Sequence, residues 1–456
     1  MTQSTATIVG VDDTDSRERG MCTTYLAARL AERIEAAGGG VRRQLLVRLN
    51  PAVPHKTRGN AALALHADVD PDLALELVRE ELTGLAIADD PRTSPGTVVA
   101  DVEPAAVPED VAAFARGAMR EFHDLADAIN LIERHGWEHE GFGGGKTEAS
   151  GEPSADDAVG RGRIGALAAV GAWRAFDDWT SEHIAYREFD RCGTPREVDV
   201  DSVFEAADFG YPTVWDTVDR AEGEAVCVPN APGPILYGIR GDDPDACRAV
   251  AHRIDAEPVE RTATFLTNQG ADAHLAPGEI GSLRDGAGYR IEGIVASKPE
   301  TRRGGHVFFE LAGPEGPGDG PSDSETNDSP TVDCAAFEPT KRFRDRVRAL
   351  RSGDRITACG EHTDGTLKLE KFAVRELVET ERVNPTCPEC DRSMSSAGRT
   401  QGYRCRDCGT EAERKREQPI DRELEEGWYE VPPCARRHVA KPLVRGGFDA
   451  DVHPER

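Results

Sequence analysis

An acidic cluster at the end of an apolar run sets what the front of this chain can become. In Ile8-Val-Gly-Val-Asp-Asp-Thr-Asp-Ser, three carboxylates (Asp12, Asp13 and Asp15) follow a β-branched stretch. Gly20, Thr23 and Thr24 then lead into an alanine-rich segment. The pattern predicts a buried strand that delivers three like charges to its end, with a helix starting just beyond. Oxygen ligands at that place suit a hard cation such as Mg²⁺. Backbone N–H groups and hydroxyls at the next helix start suit the phosphates that such a cation accompanies. An Asp/Thr turn that merely caps the helix is the plain alternative. Three adjacent like charges at a buried strand end call for a cation or a basic group in answer, which favours metal and phosphate.

The 456 residues suggest two to four domains with ample core. Against 83 acidic residues stand 55 basic ones, giving a formal net charge of −28. Only eight of the basic residues are Lys. Such a balance ordinarily argues against nucleic acid as a partner. A halophilic host accounts for it equally well, because an acidic surface stays solvated in high salt, and salt near 1 M shortens the Debye length to about 3 Å. The clustering of the remaining basic residues favours the halophile. No stretch is apolar enough to span a membrane and the N-terminus lacks a signal-peptide core, so the expected location is cytoplasmic. Eleven Cys, four of them in a metal spacing, fit a reducing compartment.

Strand and helix signals alternate over the first 170 residues. Thr5–Val11, Val41–Leu49 and Ala61–Val69 read as strands; Thr23–Ala37, Pro71–Glu81 and Pro108–His135 read as helices. This predicts α/β layering with functional loops at strand ends. Gly143–Val159 reads as a flexible insertion, followed by a small-residue helix over Ile164–Ala172. Between Trp173 and Leu275, strands at Ala225–Val228, Ile235–Ile239 and Val259–Leu266 with a helix at Pro244–Ile254 suggest a ferredoxin-like α+β unit. Five strand-like runs follow: Tyr289–Ser297, Gly305–Leu311, Thr331–Phe337, Asp354–Cys359 and Thr366–Leu377. Five is the number an OB-fold β-barrel needs. Gly313–Pro330, rich in Pro, Gly, Ser and Asp, is expected to be a disordered loop.

Cys387-x2-Cys390 and, fourteen residues on, Cys405-x2-Cys408 form the strongest generic motif. Two thiolate knuckles give a closed tetrahedral Zn²⁺ site, structural because no coordination position stays open. A redox pair or an iron–sulfur centre is the competing reading. Lys341-Arg-Phe-Arg-Asp-Arg-Val-Arg-Ala-Leu-Arg351 holds six basic residues against one acid. It reads as a phosphate-facing strip or as a helix face balanced by neighbouring acids. Ala435-Arg-Arg-His-Val-Ala-Lys-Pro-Leu-Val-Arg445 repeats the theme in the tail. A barrel, a ribbon and basic strips together favour RNA or single-stranded DNA over duplex DNA.

Nearer the front, Arg48-Leu-Asn-Pro and Pro54-His-Lys-Thr-Arg-Gly-Asn60 bring Lys56 and Arg58 into a polar connection suited to phosphate or substrate, or a plain turn. Gly141-Phe-Gly-Gly-Gly-Lys-Thr147 is not a P-loop, since Glu140 stands where that motif requires Gly. Gly160-Arg-Gly-Arg-Ile-Gly165 (Gly160, Arg161, Gly162, Gly165) is the better anion cradle. Thr267-Asn-Gln-Gly-Ala-Asp-Ala-His-Leu275 either lines a pocket or ties a buried junction.

Taken together these strings resemble the archaeal isoleucine-tRNA 2-agmatinylcytidine synthetase family. The resemblance rests on Val11-Asp-Asp-Thr-Asp-Ser, Gly20-Met-Cys-Thr-Thr-Tyr-Leu, Arg48-Leu-Asn-Pro and Lys56-Thr-Arg-Gly-Asn60, followed by Ile164-Gly-Ala-Leu-Ala-Ala, Leu236-Tyr-Gly-Ile-Arg-Gly241, Thr267-Asn-Gln-Gly and Ala435-Arg-Arg-His-Val-Ala-Lys-Pro-Leu. It implies a multidomain α/β and α+β protein: a kinase-like catalytic domain (1–172), a ferredoxin-like domain (173–282), an OB fold (283–380), a zinc ribbon (384–412) and a tRNA-contacting tail (413–456). It further implies an ATP-dependent ligase that joins agmatine to C2 of the wobble cytidine of the minor isoleucine tRNA with a CAU anticodon. That tRNA would then read AUA. Asp12, Asp13 and Asp15 would hold Mg²⁺ and the ATP phosphates, and one of Thr23 and Thr24, preferably Thr24, would take a phosphate.

On the same resemblance Gly20, Lys56, Arg58 and the Gly160–Gly165 segment would bind the nucleotide. From their own chemistry Asn268, Gln269, Asp272 and His274 are expected to face substrate, and the need of the agmatine guanidinium for a carboxylate partner points to Asp272. Arg436, Arg437 and Lys441 would grip the tRNA. Two departures from the family pattern stand out: the Ser16–Gly20 loop is long, and the Gly-rich segment is split by the 143–159 insertion. The rival expectation, from the barrel and ribbon alone, is a non-catalytic RNA- or single-strand-binding protein. Such a protein has no need of the Asp cluster.

Overall fold

The computed structural model describes residues 6–16, 20–54, 56, 59–87, 90, 93–143, 159–314, 330–398 and 401–456. Its first part supplies β1 (Ala6–Asp12), α1 (Thr23–Ala36), β2 (Gly40–Arg48), β3 (Ala61–Asp68), α2 (Pro71–Leu85) and β4 (Gly96–Asp101). After these come α3 (Glu109–Ala118), α4 (Leu125–Arg134), β5 (Glu138–Gly141) and α5 (Arg163–Ala175). The second part adds β6 (Thr180–Arg187), α6 (Val200–Gly210), β7 (Val214–Trp215), β8 (Ile235–Gly241), α7 (Pro244–Ala251) and β9 (Val259–Thr267).

These nine strands form one sheet in the order β5-β4-β1-β3-β2-β9-β6-β8-β7. The expected alternation of strands and helices holds, but the strands of the first part are not a parallel stack: β1 runs antiparallel to both β3 and β4. The two parts join through one parallel pairing, Leu45 with Leu266 and Leu46 with Thr267. Helix α5 runs through residue 172, so neither the sheet nor that helix breaks at the expected boundary.

Strand β1 is buried on both faces. Val9 and Val11 pack towards α1 and α2, while Ile8 packs towards α3, α4 and α5. Helix α2 starts where Asp70 accepts from the Asp72 and Leu73 amides, with Pro71 in the first turn. The single helix expected over Pro108–His135 is two. The Arg120 and Glu121 amides both turn back to the Gly117 carbonyl, ending α3, and α4 restarts after Asp124. Ala225–Val228 is a turn rather than a strand. The Val228 amide bonds the Ala225 carbonyl, and Pro229 has no N–H for a ladder.

The next unit comprises β10 (Leu275–Pro277), β11 (Ala287–Val295), β12 (Glu300–Thr301), β13 (Val307–Ala312), β14 (Thr331–Ala336), α8 (Phe343–Arg348), β15 (Arg355–Thr363) and β16 (Thr366–Glu376). Strands β11, β13, β14, β16 and β15 close into a five-stranded barrel around Phe309, Phe343 and Phe372. Beyond it lie β17 (Thr380–Val383), β18 (Ser395–Ser396), β19 (Tyr403–Arg404), β20 (Glu411–Ala412) and β21 (Arg416–Pro419). The final residues return to the barrel: β22 (Gly427–Glu430) pairs with β16, and β23 (Val452–His453) pairs with β22. No helix among the described residues is long and apolar enough to cross a membrane.

Candidate functional site

The end of β1 opens into a cleft of about 700 Å³ that runs across the seam between the two parts of the sheet. Its wall from the first part carries Asp12, Asp13, Asp15, Thr23 and Thr24 together with Lys56, Arg161, Gly162 and Gly165. Arg48, Glu182 and Arg240 face it from β2, β6 and β8. Gly20 and Gly160 support this wall without lining it. Gly20, at φ +85°, would drive a Cβ to 2.7 Å from the Pro232 carbonyl. Arg58 and most of the 143–159 and 313–330 insertions lie outside the described residues.

Close packing of α5 against β1 gives the acidic wall its shape. A Cβ on Gly162 would stand 2.6 Å from the Asp12 carbonyl oxygen, and one on Gly165 only 1.9 Å from Asp12 Oδ2. The glycines that read as an anion cradle therefore also make room for a carboxylate. Burial, with Asp13 and Asp15 alongside, holds the Asp12 carboxyl well above the usual carboxylate range. Burial pushes Asp13 up to about 7 despite an ion pair with Arg161 at 2.8 Å. Arg161 belongs to a turn tied down by Ser94, whose Oγ accepts from the Gly160 and Arg161 amides. Like charges this close and this buried favour a cation beside them when ionised, and Arg161 supplies one to Asp13.

Asp15 also serves as a helix cap. Its Oδ1 accepts from the Thr23 amide at 2.6 Å and the Thr23 hydroxyl at 2.9 Å. Thr14 in turn donates to the Thr23 hydroxyl. The capping alternative therefore holds for Asp15, while Asp12 and Asp13 face the cleft. Thr24, one residue on, faces the cleft with its hydroxyl 3.1 Å from the Cys22 sulfur.

Glu182, in the cleft's lining, was not singled out in the sequence, and Arg240 entered only within the Leu236–Gly241 string, with no role given to it. Arg48 Nη2 lies 3.3 Å from one Glu182 oxygen and Arg240 Nε 3.2 Å from the other. Burial opposes the charge, but Arg240 and Arg48 keep the Glu182 carboxyl below its ordinary range. Asn268 and Gln269 do not line the cleft; they fix Arg48. Asn268 exchanges hydrogen bonds with the Arg48 backbone, and Gln269 Oε1 accepts from Arg48 Nε at 3.0 Å.

Asp272 does not line the cleft either. Both its oxygens lie 2.8 Å from Lys371 Nζ on the barrel, and it accepts from the Lys441 amide. His274 is buried against His438, with ring centroids 5.0 Å apart, and burial brings its imidazole down to about 4. Arg436 cannot grip RNA as expected: it is buried between Asp216 and Glu430. Arg437 pairs with Glu361 and Glu370, and Lys441 lies beside Phe448 rather than at the cleft. The strip from Lys341 to Arg351 follows its plain reading. Lys341, Arg342, Arg344 and Arg348 pair with acids of this chain, while Arg346 and Arg351 donate to carbonyls. All these cations were legible as charge, but which neighbour each one meets was not, and Asp216, Glu222, Glu361 and Glu370 come from distant parts of the chain.

Far along the chain, the Sγ atoms of Cys387, Cys390, Cys405 and Cys408 lie within 4.8 Å of one another. A tetrahedron of thiolates about 2.3 Å from Zn²⁺ has edges of roughly 3.8 Å. The donor set therefore fits zinc and leaves no open position.

Comparison with known proteins decides the family. Family models match residues 8–69 (TiaS TCKD domain), 160–274 (TiaS FLD domain) and 384–424 (TiaS C-terminal zinc ribbon domain). The isoleucine-tRNA 2-agmatinylcytidine synthetase TiaS of Haloquadratum walsbyi is 57% identical, over 99% of this chain and 100% of its own. The chain belongs to the TiaS family. The TiaS of Methanosarcina mazei is 45% identical over 96% and 97% of the two chains. A crystal structure of TiaS in complex with an isoleucine tRNA and ATP superposes with a TM-score of 0.84 at 40% identity, covering 99% of this chain and 100% of that one. A TiaS complex with the same tRNA, AMPCPP and agmatine gives 0.82 at 38% identity, with the same coverage.

Proposed function

We propose that this TiaS-family chain is the ATP-dependent ligase that conjugates agmatine to C2 of the wobble cytidine in the minor isoleucine tRNA with a CAU anticodon. The observation that carries the proposal is the cleft. It sets three carboxylates and two threonines at a strand–helix junction, in a chain alignable end to end with TiaS proteins whose structures hold tRNA, ATP and agmatine. A protein that only bound RNA would have no use for such a wall.

C2 of cytidine is amide-like and a poor electrophile. Transfer of a phosphoryl group to its oxygen creates a leaving group; the agmatine amine, having lost a proton, adds to C2, and phosphate departs with that oxygen. Asp12 and Asp13 would hold Mg²⁺, and the cation would supply positive charge to neutralise the phosphates. Arg161 neutralises Asp13 when no cation does. Thr24 is the better phosphate acceptor of the two threonines, because the Thr23 hydroxyl is committed to Asp15 and Thr14. The target base leaves the anticodon stack to reach this depth.

Two further assignments belong to this proposal. The first part of the sheet, with the acidic wall, acts as the kinase-like unit. The order β9-β6-β8-β7, with a helix after β6 and another after β8, supports the ferredoxin-like reading of residues 173–282.

The test is incubation with labelled agmatine, ATP and a CAU-anticodon tRNA transcript in molar salt, asking for label in the RNA. Incorporation into that tRNA, and loss of both ATP turnover and incorporation in Asp12→Ala with tRNA binding retained, is the expected result. No incorporation by the wild type overturns the proposal.

A further inference from the structure

Among the described residues, the large apolar side chains left exposed are Phe122, Val159, Val200, Phe209, Val259 and Val452. Only two are aromatic. The guanidinium of Arg253 covers Phe209 at 3.4 Å. Phe122, 57% exposed, stands on the rim of the cleft. We propose that Phe122 is a stacking platform for a base of the tRNA anticodon loop as the target cytidine enters the cleft. This rests on the ligase reading above.

The ring is held in place. Phe122 sits in the interruption between α3 and α4, where its neighbours are fastened in different directions. His123 packs inward on Phe114, tilted, with ring centroids 4.2 Å apart, Glu121 pairs with Arg284 at 2.7 Å, and Arg120 Nε reaches the Ala273 carbonyl. One edge of the Phe122 ring rests on Gly286, where a Cβ would meet Phe122 Cζ at 2.8 Å. Gly286 is itself pinned by Asn50 and by the His362 carbonyl. Three anchors around an exposed ring make a preformed surface, at the place where the catalytic sheet meets the barrel.

Charge argues for stacking as well. The chain carries a net charge of −28, and the basic strip and tail arginines described above are paired with its own acids. Phosphate contacts weaken steeply as salt rises. Stacking of a base on an aromatic ring is sequence-tolerant and contributes about 1–3 kcal/mol per base. An acidic protein that must hold RNA in strong salt gains most from contacts of this kind.

The test measures the Kd of a CAU anticodon stem-loop for the full-length protein, at low and at molar KCl, alongside the KM for ATP. Phe122→Ala should raise the stem-loop Kd by roughly 5- to 150-fold, by the same factor in both salts. Phe122→Leu should behave like Phe122→Ala, Phe122→Trp should bind like the wild type, and the KM for ATP should not move. A Kd for Phe122→Ala equal to the wild-type value overturns the proposal. So does wild-type binding by Phe122→Leu, which would show an apolar contact without stacking. So does a raised KM for ATP with unchanged Kd, which would place adenine on the ring. If stem-loop binding depends on Phe122 but the wild type incorporates no agmatine, the stacking stands and the ligase reading fails.

Discussion

Replacing Gly165 with alanine separates the geometry of the acidic wall from the stability of the fold. An ideal Cβ at this position lies 1.9 Å from Asp12 Oδ2, 2.6 Å from its Cγ and 3.0 Å from Leu49 Cδ1. Restoring ordinary contact at 3.4 Å requires the Asp12 carboxylate to retreat by about 1.5 Å. The Asp12 main chain cannot follow, because it is paired with Gly96 and backed by Gly162. Misplacement of a catalytic group by an ångström costs on the order of 100-fold in rate. The fold should tolerate the change. Alanine gains about 1 kcal/mol over glycine inside a helix, and overpacking one methyl costs about 1–3 kcal/mol. Gly165→Ala should therefore lose about 100-fold in agmatine incorporation while urea denaturation shifts by less than about 2 kcal/mol. Incorporation within about threefold of the wild type would refute the idea that Asp12 acts from the position glycine leaves open. Global unfolding in the absence of urea would refute the separation of geometry from stability.

Other outcomes follow from the same structure. Cys405→Ser should release zinc, read by metal analysis, and weaken tRNA binding, while the thermal transition of the N-terminal sheet stays in place; wild-type zinc content would count against the thiolate site. Glu182→Ala should destabilise the protein by about 2–4 kcal/mol in urea, because Arg48 and Arg240 lose their shared counter-charge; partial exposure keeps the loss below that of a fully buried pair. Acid should unfold the protein through its buried imidazoles. Burial lowers His66 to about 3 and both His183 and His274 to about 4. Unfolded chains take up these protons below about 6.5, so the contribution is whole above that pH and is lost as pH falls towards about 4, at about 1.4 kcal/mol per unit for each imidazole. His274→Gln should flatten this slope in pH-dependent denaturation, and an unchanged slope would count against it.

Much of the site was legible because its chemistry is local. Asp12 to Thr24 is a single strand–turn–helix passage, and the cysteine knuckles set their own geometry within two short turns. The barrel was legible through five alternating runs. What stayed hidden depends on partners remote in sequence. Strand β6 reads Thr-Ser-Glu-His-Ile-Ala-Tyr-Arg and is wholly buried, so no apolar alternation announces it. Glu182 is stable there only because Arg48 and Arg240 arrive from other strands. Asp272, Arg436 and Arg437 are polar residues in suggestive strings, yet their charges are consumed by Lys371, Asp216, Glu430, Glu361 and Glu370. Residue type forecasts charge, but it does not say whether the charge faces a ligand or a neighbour. The helix expected through residues 119–124 failed for a related reason. Its periodicity continues across the interruption, and the turn back to Gly117 carries no strong breaker after it.

The parallel pairing of β2 with β9 also bears on how the protein is made. Arg48 and Asn268, which clasp each other beside that seam, stand 220 residues apart in the chain. At synthesis rates of about 5–20 residues per second, β2 waits on the order of ten seconds or more for its neighbour to leave the ribosome. Throughout that wait it presents an unpaired edge, the kind of surface on which strands of other chains add. Non-local parallel pairing is slow to form even once both strands exist. The cleft is assembled from both sides of the seam, so it comes into being only at this late closure. Nascent chains truncated before residue 259 should gather on chaperones or aggregate through β2, long before they can bind a nucleotide.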